Sequence, residues 1–410
     1  MPEFLNLLPP KDALEKMLDN LPVKPAPEKI ASKHALGRVT AYPVLAPHPL
    51  PEFPRTTVDG YAVRSADTHG ASESLPVYLK QVGEIPMGAA PQLSLDSGQC
   101  ALIHTGGMLP EGADAAVMLE YTQQARPGEI EIMHAVAVNE NVIEVGEDVR
   151  QNAEVIPAGV QLRPAEIGGL MALGITSLDV ARKPRVGILS SGDEVIPPQQ
   201  RPAPGQVRDV NSYTLRAAVE EAGGEAVLYG IVSDTRTAML AATSRAQQEC
   251  DIVVVTAGSS ASARDLTSEI LDQLGQPGVL VHGVNTRPGK PTILAVCDGT
   301  AMIGLPGNPV SALVNIRLFV VPVIRALLGE TTTRPQATIP ARLTVNLASR
   351  AGREDWVPVV LTPTPKGYQA EPIFGKSNLI FTLSRADGLL RIPPDATGLS
   401  AGVTVDIFFT

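Results

Sequence analysis

Two carboxylates follow an apolar run of the sequence, and their position indicates a site. The run at 186–189 ends in Ser190-Ser191-Gly192, and Asp193 and Glu194 come next. In open α/β sheets, ligands bind beyond the carboxyl ends of the strands, which is where these acids would lie. A turn with two solvated acids is the alternative reading of this motif taken alone.

A second apolar run, at 253–255, leads into a loop of small and hydroxyl residues that ends at Asp265. Small side chains let backbone N–H groups approach a phosphate closely, and serine hydroxyls such as that of Ser260 add donors. Asp265 is predicted to open a helix. Plain capping of that helix is the alternative to a role in binding.

The segment Arg287-Pro288-Gly289-Lys290-Pro291 places two cations three residues apart on a loop that prolines stiffen. Both cations can therefore face one anion at a reduced entropy cost, which favours an oxyanion site. A surface turn with solvated charges is the alternative.

A fourth motif, Leu305-Pro306-Gly307-Asn308-Pro309-Val310-Ser311, lies between a strand-like run and a long helical segment. Pro309 would fall in the first helical turn, and Ser311 would lie near the positive end of the helix. Such a turn can also do no more than pack. Four junctions of this kind within one predicted sheet nevertheless favour an anion site at its edge.

Other glycine-bearing turns carry weaker signals. They are Val58-Asp59-Gly60-Tyr61-Ala62, His104-Thr105-Gly106-Gly107, Gly146-Glu147-Asp148 and Gly375-Lys376-Ser377-Asn378. The six histidines show no metal-ligand spacing, and no Ser or Cys nucleophile motif has a matching histidine. Zinc chemistry and acyl transfer are therefore poorly supported.

A doubly wound, mostly parallel sheet would position the four strongest motifs. Strand-like runs at 186–189, 226–228 and 252–255 and near 279 and 301 alternate with helical segments after Asn211, Asp234 and Asp265. This βαβ alternation is typical of such sheets, whose parallel strands all end at the same edge.

The remaining segments predict smaller units around this sheet. Helical spacing at 9–21 and again at 27–36 predicts two short helices, and the proline-rich stretch 41–56 predicts an extended connector. Short β-type runs between 75 and 138 indicate a small mainly-β unit, a helix is expected at 163–173, and the Thr-, Pro- and Val-rich tail indicates a C-terminal β-domain. The predicted domains are 1–45 with 141–178, then 46–140, 179–329 and 330–410.

Composition limits which binding partners and which cell compartment are expected for this protein. The 410 residues carry a net charge of −10 without a long Lys or Arg run, which disfavours nucleic acid and anionic membranes. Three widely spaced cysteines predict neither disulfides nor a metal site and fit the cytoplasm. The apolar stretch 313–328 is interrupted by Arg317, Pro322 and Arg325, so no membrane span is expected.

Taken in order, the motifs resemble the molybdopterin molybdenumtransferase family, including the C-terminal domain of gephyrin, over nearly the whole chain. The matching segments are Thr57-Val58-Asp59-Gly60-Tyr61-Ala62, His104-Thr105-Gly106-Gly107, Pro110-Glu111-Gly112-Ala113-Asp114, Gly146-Glu147-Asp148, Ser191-Gly192-Asp193-Glu194, Arg287-Pro288-Gly289-Lys290-Pro291 and Leu305-Pro306-Gly307-Asn308-Pro309-Val310-Ser311-Ala312. The resemblance implies insertion of molybdate into the dithiolene of adenylylated molybdopterin with Mg²⁺-dependent release of AMP. It also implies a homodimer in which turns of a partner's small β-unit close the cleft, and contact with other enzymes of molybdenum-cofactor biosynthesis.

The resemblance also assigns roles to individual residues. Asp193, Glu194 and Asp265 would hold Mg²⁺, and these three together with Lys290 are the expected catalytic groups. The expected substrate contacts are Asp59, Thr105, Asp148, Ser260, Arg287, Pro306, Pro309, Ser311, Arg353 and Ser377.

The sequence departs from the family pattern in three places. In the loop Ala257–Asp265 the usual Gly-Gly start is missing and Ala263 replaces an acid, and Arg287 stands where lysine is usual. Asn378 also follows Ser377 instead of the commoner Gly or His. A pterin adenylyltransferase, a non-catalytic pterin-binding scaffold and a tungstate-preferring insertase are therefore kept as alternatives.

Overall fold

The computed structural model describes residues 7–257, 261–331 and 337–409, and for 261–264 only the backbone. Contacts divide the chain into two compact units. The first comprises the described parts of Met1–Ala41, Gly159–Arg163 and Ser177–Thr410, and the second comprises Tyr42–Ala158 and Pro164–Thr176.

The N-terminal segment contains one of its two predicted helices. Helix α1 (Pro10–Asp19) begins with a proline in its first turn and buries Ala13 and Met17. The helix predicted at 27–36 is wrong, because strand β1 (Pro27–Ala31) and a 3₁₀ turn at Ser32–His34 occupy that segment. Strand β1 pairs antiparallel along its whole length with residues 177–181, and this long-range ladder overrides a weak helical spacing.

The second unit is mainly β, as predicted for 75–138. Its strands are β2 (Val44–Leu45), β3 (Arg55–Thr56), β4 (Gly60–Val63), β5 (Val77–Glu84), β6 (Gln99–Ile103), β7 (Ala115–Met118), β8 (Thr122–Arg126), β9 (Glu129–Ile132), β10 (Val142–Ile143) and β11 (Glu154–Ile156). One sheet has the order β7-β4-β6-β5-β9-β8. Helix α2 (Pro164–Ala172) confirms the helix expected after residue 163.

The central part of the first unit is a sheet wrapped by helices. The strands of this part of the chain, six of which form the sheet, are β12 (Ser177–Ala181), β13 (Arg185–Ser191), β14 (Val195–Ile196), β15 (Val207–Arg208), β16 (Glu225–Val232), β17 (Ile252–Ala257), β18 (Pro277–His282), β19 (Thr286–Arg287), β20 (Ile293–Cys297) and β21 (Thr300–Pro306). Its helices are α3 (Asn211–Glu221), α4 (Arg236–Glu249), α5 (Ala261–Gln273), α6 (Pro309–Asn315) and α7 (Val321–Leu327), the last two joined by a π-helical turn at Ile316–Val320.

The main sheet has the order β16-β13-β17-β21-β20-β18. The first four strands are parallel, and β20 and β18 are antiparallel to their neighbours. Every residue of β17 is buried, and its side chains alternate between the two faces of the sheet, with Ile252 and Val254 in one core and Val253 and Val255 in another. The predicted doubly wound sheet is therefore confirmed, since apolar layers cover both of its faces.

Helix α5 corrects one expectation at this sheet. It begins at Ala261, so Asp265 is its fifth residue instead of the residue that opens it. The loop residues 258–260, and with them the predicted substrate contact Ser260, lie outside the described residues.

The continuous helical stretch Pro309–Leu327 is long and apolar enough, by length and composition, to cross a membrane. Its residues Ile316, Phe319 and Val320 instead pack fully buried in the core beneath the sheet. The stretch is therefore a core helix of the first unit.

A closed barrel ends the chain and confirms the predicted C-terminal β-domain. Its elements are β22 (Thr338–Leu343), β23 (Leu347–Ala348), β24 (Glu354–Thr364), β25 (Gly367–Pro372), α8 (Phe381–Ser384), β26 (Gly388–Ile392), β27 (Gly398–Leu399) and β28 (Thr404–Phe409). Strands β24, β25, β22, β28 and β26 pair in that order, and β26 closes the ring by pairing with β24. Strand β19 joins β24 in parallel, placing Arg287 opposite Asp355.

Candidate functional site

A cavity of about 770 Å³ lies within the first unit, between the end of β21 and the C-terminal barrel. Its volume is in the range of small-molecule sites. Five of the residues predicted to contact substrate or catalyse the reaction line it, namely Arg287, Lys290, Pro306, Ser311 and Ser377. Pro309 occupies the first turn of α6 between the lining residues Asn308 and Val310.

The cationic loop is held rigidly by a buried asparagine. Gly289 has a φ of +109°, and a Cβ added there would lie 1.6 Å from Nδ2 of Asn315. That Nδ2 donates to the carbonyl of Pro288 at 3.2 Å, while the Thr292 hydroxyl donates to Oδ1 of Asn315 at 3.1 Å. Glycine is required at this position, and the exposed side chain of Lys290 projects from a fixed backbone.

The beginning of α6 is fastened to the barrel. The backbone N–H of Val310 donates to the carbonyl of Ser377 at 3.0 Å. Ser311 is buried, with 3% of its surface exposed, yet it lines the cavity. Two hydroxyl residues from distant parts of the sequence therefore meet beside the same helix start.

Asp355 is a buried acid in this cationic cavity, with 3% of its surface exposed. Its carboxylate accepts two hydrogen bonds from Arg353, Nε to Oδ1 at 2.6 Å and Nη2 to Oδ2 at 2.8 Å. Nη1 of Arg287 lies 4.0 Å from Oδ2 of the same carboxylate. Arg353 does not line the cavity itself and is instead held against its wall by this bidentate pair.

The predicted metal ligands lie at the carboxyl edge of the sheet and not in this cavity. Asp193 and Glu194 are exposed after β13, and Asp265 is exposed on α5, which follows the adjacent strand β17. Oδ1 of Asp193 accepts from the backbone N–H of Asp234 at 3.4 Å, and the Ser191 hydroxyl donates to the Asp234 carboxylate. Among the residues that the structure describes, no three His, Cys, Asp or Glu side chains form a group that could hold a metal.

Unsatisfied polar atoms lie beside the turn after β21. Nδ2 of Asn211 donates to the carbonyl of Gly307 at 2.8 Å. Over the described ranges, the Asn211 Oδ1 and Ser212 Oγ atoms are buried and have no hydrogen-bond partner. Buried polar atoms in native proteins are normally paired, so a polar ligand or water at this turn would complete them.

The other predicted contacts belong to the second unit. Oδ1 of Asp59 accepts from the Thr105 backbone N–H at 2.7 Å and from its hydroxyl at 3.2 Å, and these bonds, with a smaller effect of His104, lower the Asp59 pKa below its ordinary value. Nε2 of His104 lies 3.1 Å from a Glu84 carboxylate oxygen. Asp148 lines a separate cavity of about 610 Å³, together with Glu147 and Arg55.

Several residues at the cavity were not singled out from the sequence. Asp355, Trp356 and Phe374 all line it. Asp355 and Trp356 lie within the long strand β24, and no local sequence pattern shows that this strand closes a barrel. Asp234 could have been found, because it follows β16, the strand next to β13, at the same carboxyl edge.

Comparisons with known families cover most of the chain. The model for the MoeA N-terminal region (domain I and II) matches residues 8–174, and that for a probable molybdopterin binding domain matches residues 187–326. The model for the MoeA C-terminal region (domain IV) matches residues 340–409.

Individual relatives are similar over most of their lengths. A molybdopterin molybdenumtransferase of a Nostoc species is 35% identical over 376 residues, covering 90% of this chain and 86% of that protein. The enzyme of the same name from Haemophilus influenzae is 31% identical over 397 residues, covering 96% of each. A crystal structure of a molybdopterin biosynthesis MoeA protein from Pyrococcus horikosii superposes with a TM-score of 0.82 at 35% identity, covering 98% of this chain and 99% of that one.

Proposed function

The chain belongs to the molybdopterin molybdenumtransferase family, whose members are transferases of molybdenum-cofactor biosynthesis, and we propose that it inserts molybdate into adenylylated molybdopterin with release of AMP. The observation that carries this proposal is the cavity that gathers Arg287, Lys290, Ser311 and Ser377. Molybdate is a tetrahedral dianion, and guanidinium, ammonium and hydroxyl donors are suited to bind it.

Insertion forms two Mo–S bonds while one oxygen of molybdate leaves as water with the two thiol protons. Lys290 and Arg287 would hold the oxyanion, and the hydroxyls of Ser311 and Ser377 would orient its remaining oxygens. Water then cleaves the phosphoanhydride, which releases AMP and leaves the terminal phosphate on the pterin. Cations held beside the oxygens on which negative charge develops would stabilise the transition state of phosphoanhydride cleavage.

The residues at the sheet edge fit the Mg²⁺ that the proposal requires. Asp193 and Glu194 offer exposed carboxylate oxygens, and Asp265 lies on the helix after the adjacent strand. Mg²⁺ in phosphoryl-transfer sites is commonly held by one or two carboxylates together with substrate phosphates, so a preformed three-acid group is not needed. When bound, the ion would neutralise negative charge on the phosphoanhydride oxygens.

The proposal includes a homodimer in which the turns bearing Asp59, Thr105 and Asp148 serve the partner subunit's site. Mixing the variants Asp59→Asn and Asp265→Asn tests this arrangement. If each site combines residues of two subunits, random mixed dimers regain one intact site, and roughly a quarter of native activity returns. No recovery after subunit exchange would mean that both residues act within one subunit.

We also place the enzyme in the cytoplasm, where it would receive its unstable substrate from other enzymes of the pathway. Its cysteines, Cys100, Cys250 and Cys297, are all buried and free. Free thiols persist in a reducing compartment, which supports this placement.

The decisive experiment is anaerobic AMP release from adenylylated molybdopterin with Mg²⁺ and molybdate. We expect Asp265→Asn to lower the rate at least about a hundredfold, on the order of 2.7 kcal/mol of transition-state stabilisation. Glu269→Gln is the matched control, because Glu269 is an exposed carboxylate one turn further along α5. An equal loss in both variants would refute the specific role of Asp265.

The same assay separates the other candidate functions. Tight substrate binding without AMP release would identify a scaffold, which the altered loop at 257–265 motivates. Consumption of ATP with unmodified molybdopterin would identify an adenylyltransferase. Faster release with tungstate than with molybdate at equal concentration would identify a tungstate-preferring insertase.

A further inference from the structure

Phe374 is a large apolar side chain left in solvent at the edge of the substrate cavity. It is 73% exposed, and it lines the cavity together with Lys376 and Ser377. A phenylalanine normally contributes to stability by burying its ring, and here most of that ring is in contact with water. Single exposed apolar residues are common on protein surfaces, so the position of this one beside cations is the informative feature.

The backbone around Phe374 is fixed on both sides. The N–H of Ile373 donates to the carbonyl of Pro358 at 2.8 Å, and the carbonyl of Ser377 accepts from Val310 at 3.0 Å. A Cβ added at Gly375 would lie 2.9 Å from the Thr382 hydroxyl, so the loop approaches its neighbour closely. The ring is thus presented from a fixed point.

The other aromatic residue of the cavity is already engaged. Trp356 donates its indole N–H to Oε1 of Glu354 at 2.8 Å, and its ring meets Phe408 edge to face at 5.4 Å between centroids. Within the described residues, no aromatic ring contacts Phe374. With 73% of the residue exposed, the ring of Phe374 is accessible to a ligand.

We propose that Phe374 is the stacking surface for a planar nitrogen heterocycle of the substrate, either its pterin or its adenine. This inference rests on the proposed function, whose substrate carries both rings on phosphates. The cavity supplies both kinds of contact such a ligand needs, namely a cation for the phosphate from Lys376, apart from the Arg287 and Lys290 that would hold molybdate, and an aromatic face for the ring. Stacking on an aromatic side chain tolerates either heterocycle because each has a π-face.

Phe381 provides a matched control on the same segment. It is 72% exposed but does not line the cavity. Removing either ring therefore changes solvent exposure equally, and only Phe374→Ala removes a ring from the cavity. Phe374→Tyr keeps the aromatic face and serves as the conservative rescue.

Calorimetric titration of the native chain and these three variants tests the proposal with two pairs of probes. AMP is compared with ribose 5-phosphate, and 6-hydroxymethylpterin phosphate is compared with methyl phosphate. We expect one ring-bearing probe to bind at least about tenfold more tightly than its ringless partner. Phe374→Ala should abolish that advantage, whereas Phe381→Ala and Phe374→Tyr should retain it.

The pair that shows the advantage identifies the ring. If neither advantage depends on residue 374, or if Phe381→Ala has the same effect, the inference is wrong and the exposed ring serves another surface. A ring advantage that depends on Phe374 in a chain that releases no AMP would count against the proposed catalysis alone. Loss of AMP release on Phe374→Ala without any change in ring binding would also overturn the inference.

Discussion

Removing Arg353 should destabilise the barrel more than removing Asp355, although the two residues form one ion pair. The Asp355 side chain is 5% exposed and the Arg353 side chain is 22% exposed. Arg353→Ala therefore leaves a buried carboxylate whose nearest cation is Arg287, 4.0 Å away. Asp355→Ala leaves a guanidinium that can still reach water.

The magnitudes follow from this difference in burial. Breaking a buried pair by removing one partner costs about 3–5 kcal/mol, so we expect Arg353→Ala to cost roughly 3 kcal/mol. We expect Asp355→Ala to cost roughly 1–2 kcal/mol, because solvent compensates the remaining charge. The double variant should cost less than the two single changes together, with a coupling of about 1.5–2 kcal/mol.

Urea unfolding followed by tryptophan emission measures these differences, because the chain has one tryptophan and it is Trp356, the neighbour of Asp355 in β24. The signal therefore reports on the barrel even if the other parts of the chain unfold separately. A coupling below about 0.5 kcal/mol, which is typical of exposed pairs, would refute the reasoning. So would an Asp355→Ala variant that is less stable than Arg353→Ala.

Three further predictions test other parts of the structure. Gly289→Ala should weaken molybdate binding at least about tenfold in equilibrium dialysis, because the added Cβ would collide with Nδ2 of Asn315. Gly367→Ala is the control and should bind molybdate normally, since Gly367 has a similar φ of +103° and open space around the added Cβ. Thr105→Val should raise the Asp59 pKa in a carboxyl NMR titration, because it removes the hydroxyl hydrogen bond. The folded-state pKa of Asp59 lies below its ordinary value of 3.8, so the ionised carboxylate stabilises the fold above that pH, and this stabilisation is lost as the pH falls through the lowered pKa. Burial raises the thiol pKa of Cys100 and Cys297 to about 12 and also raises that of Cys250. A disulfide reagent at pH 8 should therefore label the unfolded chain promptly and the native chain slowly. Fast labelling of the native chain would contradict the assigned burial.

The sequence predicts the central sheet well because its signal is local. Runs such as 252–255 are apolar at every position, which indicates strands covered on both faces, and the intervening helices supply the crossover connections. The small β-unit and the C-terminal β-domain were also predicted from short runs between turns. The four-domain boundaries and the roles of the site residues stay predictions.

Long-range pairing explains what the sequence does not reveal. The segment 27–36 has a helical spacing of apolar side chains, yet pairing with residues 177–181 draws residues 27–31 into a strand. The barrel closes through β24 and β26, whose pairing places Asp355 opposite Ile392. No local pattern indicates that Asp355 then faces a cationic loop whose residues precede it by more than sixty positions.

The parallel pairing of β19 with β24 bears on which reaction the cavity can support. It sets Arg287, from the loop beside the sheet, opposite Asp355 of the barrel. The barrel also contributes Phe374, Lys376 and Ser377 to the same cavity. An enzyme built on the sheet domain alone would keep the carboxylate edge but would lack these groups and the acid that orders the two arginines. The cavity therefore adds a second set of anion-binding groups to the carboxylate edge of the sheet. The proposed function uses both, because molybdate and the substrate phosphates would then be held by different residues.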